Sequence, residues 1–152
     1  LMENILTAQN NDVDAVVASN DGTALGALQA LSAQGLAGEV PISGQDATLA
    51  GSKSIVEGEL TVTVFKDVRN LSPTAMDMAI QLANGESVDG LQDYTLAELT
   101  LDDSLEGSVP CLFLPVVQVT EENVYEEVIA TGFQPYDEVY ANVPEDERPP
   151  RP

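Results

Sequence analysis

Residues 15–36 read AVVASNDGTALGALQALSAQGL, and this stretch decides the fold. It opens with an unbroken apolar run, AVVA, which is typical of a strand buried on both faces of a sheet. Leu25, Leu28 and Leu31 then recur at the spacing of one helix face, and Gly35 follows at a position where helices commonly end. A buried strand that leads directly into a helix is the repeating unit of a parallel α/β sheet.

The same alternation continues along the chain. We expect strands at residues 13–18, 39–43, 60–65 and 112–119, and helices at residues 2–9, 23–34, 48–57, 72–84 and 120–132. Ser72 followed by Pro73 predicts a helix start, with the serine as N-cap and the proline in the first turn. Because helical crossovers between parallel strands cover the sheet, we predict an α/β protein whose parallel sheet has helices on both faces.

The chain is expected to divide into five segments. Residues 1–67 form a βαβαβ segment, 68–86 a crossover helix, 87–111 an acidic irregular segment, 112–133 a return strand with the last helix, and 134–152 an acidic, proline-rich tail. Within the irregular segment only residues 94–101 are expected to pair as a short strand. The tail ends in PEDERPPRP, a composition that predicts an extended and poorly ordered end.

Composition excludes several classes of function. With 26 acidic and 5 basic residues the net charge is −21, which would repel nucleic acid and anionic membrane surfaces and suits high salt. The absence of histidine removes the commonest general base and zinc ligand, and a single cysteine allows no disulfide within the chain. No apolar stretch approaches the roughly 18 residues that span a bilayer. We predict no catalytic residue, metal or cofactor.

Polar side chains follow three successive predicted strands where each strand ends. Asn20 and Asp21 follow the first strand, Gln45 and Asp46 the second, and Lys66 the third. Carboxyl ends of parallel strands meet at one edge of a sheet, where ligands of such sheets bind. An amide, a carboxylate and an ammonium group together can hydrogen-bond the hydroxyls of a neutral polyol such as a sugar. The chain has no glycine-rich phosphate-binding motif.

Each of these residues also has a purely structural interpretation. Asn20 and Asp21 are both candidates for the N-cap of the following helix, and this is the expected task of Asp21, while Asp46 competes for the same task at the helix near Thr48. Gln45 is equally an ordinary loop side chain, and Lys66 an ordinary surface lysine. The functional interpretation therefore depends on the convergence of Asn20, Asp46 and Lys66.

Three phrases, VDAVVASNDGTALGALQALSAQGL, PISGQDATLAG and LTVTVFKDV, resemble the C-terminal lobe of type I, ribose-binding-like, periplasmic sugar-binding proteins. The phrases SGQDA and VFK are similar to the xylose-binding branch of these proteins rather than to the ribose-binding branch. The resemblance runs from about Leu1 to about Phe133. It implies a two-lobed fold of which this chain matches the C-terminal part, with helix 68–86 packing in the other lobe.

The resemblance also implies a function and partners. Asn20, Asp46 and Lys66 match positions that hydrogen-bond the sugar, and Asp21 and Gln45 would support them from behind. The implied role is the non-enzymatic solute-binding component of an ABC importer, which holds a monosaccharide such as D-xylose or a related pentose between its lobes. Its partners would be an N-terminal lobe, on a preceding segment or a companion chain, and the membrane permease. A periplasmic or extracellular location follows, with lipid anchoring through the preceding segment as one form of it.

Two other functions remain open at this point. The first is the ligand-sensing core of a sugar-responsive transcription regulator, although the negative charge argues against a DNA-bound protein. The second is a receiver-like phospho-acceptor domain, because Asp21, Asp46 and Lys66 stand at strand ends. No Lys-Pro pair supports that second interpretation, and the lysine arrives too few strands after the aspartate.

Overall fold

The computed structural model describes all 152 residues, Leu1–Pro152. The strands are β1 (Val16–Val17), β2 (Ile42–Gln45), β3 (Val62–Phe65), β4 (Gln92–Thr95), β5 (Ser108–Cys111) and β6 (Val117–Val119). The helices are α1 (Met2–Ala8), α2 (Asp21–Ser32), α3 (Leu49–Val56), α4 (Val68–Ala83), α5 (Leu96–Thr100) and α6 (Tyr136–Val139). The chain forms two compact units, residues 1–66 with 116–152 and residues 67–115. No helix combines the length and the apolar character that crossing a bilayer requires.

The first unit contains a four-stranded sheet in the order β1-β2-β3-β6. Strands β1, β2 and β3 are parallel, so the predicted α/β class is confirmed. The prediction that residues 15–18 form a strand buried on both faces is wrong, because β1 is the edge strand of the sheet and Val17 is 91% exposed. Strand β6 runs antiparallel to β3, with Val119 opposite Thr63, which corrects the expectation of a wholly parallel sheet. The reason is its connection, because β6 follows the whole of residues 67–115 rather than a single helical crossover, and only such crossovers impose parallel pairing.

The core of the first unit lies between the sheet and its helices. Leu31 of α2, Ile42 of β2 and Ile55 of α3 are buried together with Val119 of β6. Ala24 on α2 is also fully buried, as a small side chain lets a helix approach a sheet closely. This packing fixes the strand ends that carry the candidate residues.

The second unit corrects two predictions. Helix α4 begins at Val68 and not at Ser72, because Asp67 caps it by accepting the Arg69 N–H at 2.9 Å, and Pro73 lies inside the helix. Residues 87–111 are not irregular, since β4 and β5 pair as antiparallel strands and α5 lies in the connection between them. The sequence does not predict these strands, because each has only four residues and exposes most of its side chains, so that no alternation of apolar and polar residues marks it.

The C-terminal part of the chain, residues 120–152, differs in part from the predictions. Instead of the expected helix 120–132 there is a five-residue π-helical turn, Tyr125–Ile129. The segment 134–152 begins with α6, whose Val139 is fully buried. Its last nine residues, 144–152, which are predicted to be extended, contain one 3₁₀ turn at Glu145–Glu147 and are mostly exposed, and Arg151 pairs with Asp137 and packs over Tyr136. Val139 and Tyr140, which precede residues 144–152, supply the buried area of this segment.

Candidate functional site

Asn20 lies three residues beyond β1, at the carboxyl edge of the parallel strands. Its side-chain Oδ1 accepts the backbone N–H of Thr23 at 2.8 Å and the Thr23 hydroxyl at 2.9 Å. Asn20 is therefore the N-cap of α2, and the expectation that Asp21 caps this helix is wrong. The Asn20 side chain is exposed, and its amide nitrogen is the part left to meet a ligand.

Asp21 is instead a fully buried carboxylate at the first position of α2. Its Oδ2 accepts the Thr48 N–H at 2.8 Å and the Thr48 hydroxyl at 2.9 Å, and its Oδ1 accepts the Thr63 hydroxyl at 2.7 Å. The Asp21 side chain thus links three parts of the chain, which are its own segment after β1, the segment after β2 that contains Thr48, and strand β3. Because both oxygens are occupied in the interior, Asp21 is not available as a phospho-acceptor or magnesium ligand.

Two glycines leave the space that the Asp21 carboxylate fills. A methyl carbon added at Gly44 would lie 2.3 Å from Asp21 Oδ1, and one added at Gly51 would lie 2.1 Å from Asp21 Oδ2. Any other residue at either position would displace the carboxylate. The sequence shows both glycines, but nothing local connects them with Asp21.

Asp46 and Lys66 come together at the ends of β2 and β3. The Lys66 ammonium lies 3.1 Å from Asp46 Oδ1, and the two side chains are 38% and 44% exposed. Asp46 does not cap α3, because Thr48 does so by accepting the Gly51 N–H at 3.1 Å. Both charged groups therefore stand at the rim with open faces toward solvent.

The backbone at Asp46 and Ala47 is in the left-handed region, with φ of +98° and +45°. Two successive residues of this kind that are not glycine cost on the order of 1–3 kcal/mol each unless the surroundings hold them. The Ala47 N–H donates to the Thr63 hydroxyl at 3.2 Å. The Ala47 carbonyl accepts the Gln134 amide at 2.9 Å. Sequence reasoning missed Thr63 and Gln134, the latter because no local signal links it to a loop 87 positions away.

Gln45 is turned toward the protein. Its amide nitrogen donates to the Ser19 carbonyl at 3.2 Å and thereby ties the end of β2 to the segment after β1. Asn20, Asp46 and Lys66 thus follow three neighbouring parallel strands, with Asp46 and Lys66 in direct contact. The pair places a carboxylate acceptor beside an ammonium donor at this rim, whereas the hydrogen bonds of Asn20 go to Thr23 and none joins it to Asp46 or Lys66. No group of three or more acidic or cysteine side chains is arranged to hold a metal ion.

Comparisons with known proteins identify the family of this chain. A family model for a periplasmic binding protein domain matches residues 1–87. The chain is 50% identical over 133 residues to the D-xylose-binding periplasmic protein of Escherichia coli (strain K12), which covers 88% of this chain and 38% of that protein. It is 46% identical over 140 residues to the D-xylose-binding periplasmic protein of Haemophilus influenzae, which covers 92% of this chain and 40% of that protein.

A solved structure agrees at the level of the fold. The carbohydrate transporter solute binding protein from Chloroflexus aurantiacus, in complex with D-glucose, superposes with a TM-score of 0.69 at 28% identity. The match covers 90% of this chain and 40% of that one. The chain spans about two fifths of the length of the curated relatives it matches.

Proposed function

This chain belongs to the periplasmic binding protein domain family, and from that membership we propose that it is part of the sugar-binding component of an ABC importer. The observation that carries the proposal is the Asp46–Lys66 pair at the rim of the sheet, one residue beyond β2 and β3. Asn20 follows the neighbouring strand at the same edge. The names of the relatives, which are D-xylose-binding periplasmic proteins, support a sugar ligand.

The proposed ligand is a neutral monosaccharide, D-xylose or a related pentose. The Asp46 carboxylate accepts from sugar hydroxyls, and the Lys66 ammonium and the Asn20 amide donate to them. A neutral ligand avoids the repulsion that a net charge of −21 imposes on an anion. The proposed function is binding without chemical change, which the names of the relatives as binding proteins support.

The proposed partners are an N-terminal lobe, on a preceding segment or a companion chain, and a membrane permease. Helix α4 supports the first of these, because it has no buried residue and exposes Met76 and Ile80 by 61% and 52%. An amphipathic helix normally buries its apolar face, so a further protein surface is expected to cover it. The proposed location is periplasmic or extracellular, with a lipid anchor on the preceding segment as one way of retaining the protein at the membrane.

The test is titration calorimetry with D-xylose on the intact protein, meaning this chain together with the proposed N-terminal lobe. We expect Asp46→Asn and Lys66→Met each to weaken binding at least tenfold, about 1.4 kcal/mol. The matched controls are Asp14→Asn, at an exposed site before β1, and Lys53→Met on α3, and both should bind as the wild type does. A wild-type protein that binds neither D-xylose nor another pentose would refute the function. Unchanged affinity in the two rim variants would remove these residues from the site.

A further inference from the structure

We infer that Asp21, Thr63 and Gln134 are positioning residues for the sugar site. Together they hold the Asp46–Ala47 turn in the left-handed conformation that presents the Asp46 carboxylate to Lys66 and the ligand. This inference rests on the proposed sugar-binding function. None of the three makes a direct contact with Asp46's carboxylate, so each acts through the backbone of the turn.

The direction of each hydrogen bond follows from the chemistry of a carboxylate. An ionised carboxylate only accepts, so the Thr63 hydroxyl has to donate its one proton to Asp21 Oδ1, at 2.7 Å. The hydroxyl oxygen is then left as an acceptor, and the Ala47 N–H donates to it at 3.2 Å. Asp21 therefore fixes the orientation in which Thr63 can receive the first backbone N–H after Asp46.

The hydrogen bonds from the Ala47 N–H to Thr63 and from Thr63 to Asp21 form a relay. Burial prevents water or another side-chain rotamer from replacing it. Asp21, Thr63 and Ala47 are all fully buried. Gly44 and Gly51 enclose the Asp21 carboxylate so closely that a methyl carbon on either would overlap it. A relay that is held on all sides can keep two residues at positive φ, whereas a solvated turn would relax toward negative φ.

The carbonyl side of the same turn is also fixed by hydrogen bonds. The Ala47 carbonyl accepts the Gln134 amide at 2.9 Å and the Ser52 hydroxyl at 3.3 Å. Thus the backbone N–H and the carbonyl of one residue are both fixed by side chains from distant parts of the chain. A rotation of the Asp46–Ala47 backbone would break these bonds and would carry the Asp46 carboxylate away from the rim.

The decisive variants change hydroxyl groups in or next to β3. Thr63→Val keeps the shape of the side chain and removes the relay, and Thr63→Ser restores the hydroxyl without the methyl group. Thr61→Val is the control, because the Thr61 hydroxyl also accepts a backbone N–H, that of Ile42 at 3.1 Å, but it is an exposed residue just before β3 that makes no hydrogen bond to the Asp46–Ala47 turn. D-xylose is titrated into the intact protein by calorimetry, in which the stoichiometry reports the folded fraction and the dissociation constant reports the site.

We expect Thr63→Val to bind at least tenfold more weakly at unchanged stoichiometry, and Thr63→Ser and Thr61→Val to stay within threefold of the wild type. If Thr63→Val does not fold, Gln134→Met serves instead, since it removes the second hold from a partly exposed side chain, and it should bind at least threefold more weakly. If the wild type binds D-xylose and Thr63→Val binds it as tightly as Thr61→Val does, this inference is overturned and the proposed function is not. Where Gln134→Met is used instead, wild-type affinity in that variant has the same meaning. A wild type that binds no pentose would overturn the proposed function and this inference with it.

Discussion

Asn20 has one observed task and one proposed task in the same side chain. Its oxygen caps α2 through Thr23, and its amide nitrogen is the group that we propose for the ligand. Adjacent Asn and Asp are both strong N-cap residues, so local preference does not decide between Asn20 and Asp21. The decision comes from the buried hydroxyl of Thr63, which requires an acceptor at the position of Asp21.

The two tasks of Asn20 can be separated by Asn20→Asp. Aspartate caps helices as well as asparagine does, so we expect the free energy of unfolding to change by less than about 0.5 kcal/mol. The variant has no amide donor, so D-xylose binding by the intact protein should weaken at least tenfold. Asn20→Ala should lose both, with about 1 kcal/mol of stability lost along with the cap. Wild-type affinity in Asn20→Asp would show that the amide does not contact the sugar.

At the scale of elements, α2, α3 and the parallel strands are joined by a polar contact inside an apolar core. The segments that leave β1 and β2 meet at the Asp21 carboxylate, and Gly44 and Gly51 set how closely they approach. The N-cap of α3 belongs to the same contact, because the Thr48 hydroxyl both donates to Asp21 and accepts from Gly51. Helix placement and site geometry are therefore coupled through one residue.

This coupling predicts opposite outcomes for two glycine substitutions in helices. Gly51→Ala on α3 places a methyl carbon 2.1 Å from Asp21 Oδ2, so we expect a loss of about 1–3 kcal/mol in the free energy of unfolding. Gly26→Ala on α2 meets nothing within 4 Å and should be neutral or stabilising by up to about 1 kcal/mol. Urea unfolding of the intact protein measures both. Equal effects of the two substitutions would contradict the packing described around Asp21.

The whole chain is strongly acidic, with 26 carboxylates against five cations. Three of those cations, Lys66, Arg69 and Arg151, are engaged in ion pairs with neighbouring aspartates. The Arg151 guanidinium lowers the pKa of Asp137, and Arg69 does the same for Asp67. Most of the remaining acidic side chains repel one another at neutral pH.

Repulsion of this kind predicts that salt stabilises the folded state. We expect the thermal unfolding midpoint of the intact protein to rise between about 0.01 M and 1 M NaCl, because the screening length falls from about 30 Å to 3 Å over that range. Most of the rise should come below about 0.2 M, where screening changes most, whereas a general salting effect would grow steadily with concentration. A midpoint that is constant or falls with salt would contradict the prediction.

The sequence by itself determined the alternation of strands and helices along residues 1–66, the polar residues at the strand ends, and the family, all of which the structure and the comparisons confirm. These features are local, since periodicity and strand ends are read within a few residues. The Thr95–Glu98 capping box of α5 is an equally local signal. The exposed strands on either side of it lack apolar alternation, so the sequence did not predict them.

Only the tertiary structure decided which of two adjacent cap residues is buried, that β6 is antiparallel, and that α6 buries Val139. It also decided that the Gln134 amide donates a hydrogen bond to the Ala47 carbonyl and that the Thr63 hydroxyl donates one to Asp21. The physical reason is that a buried polar group must find a partner wherever the packed chain supplies one, and such partners lie at sequence separations over which no periodic pattern extends.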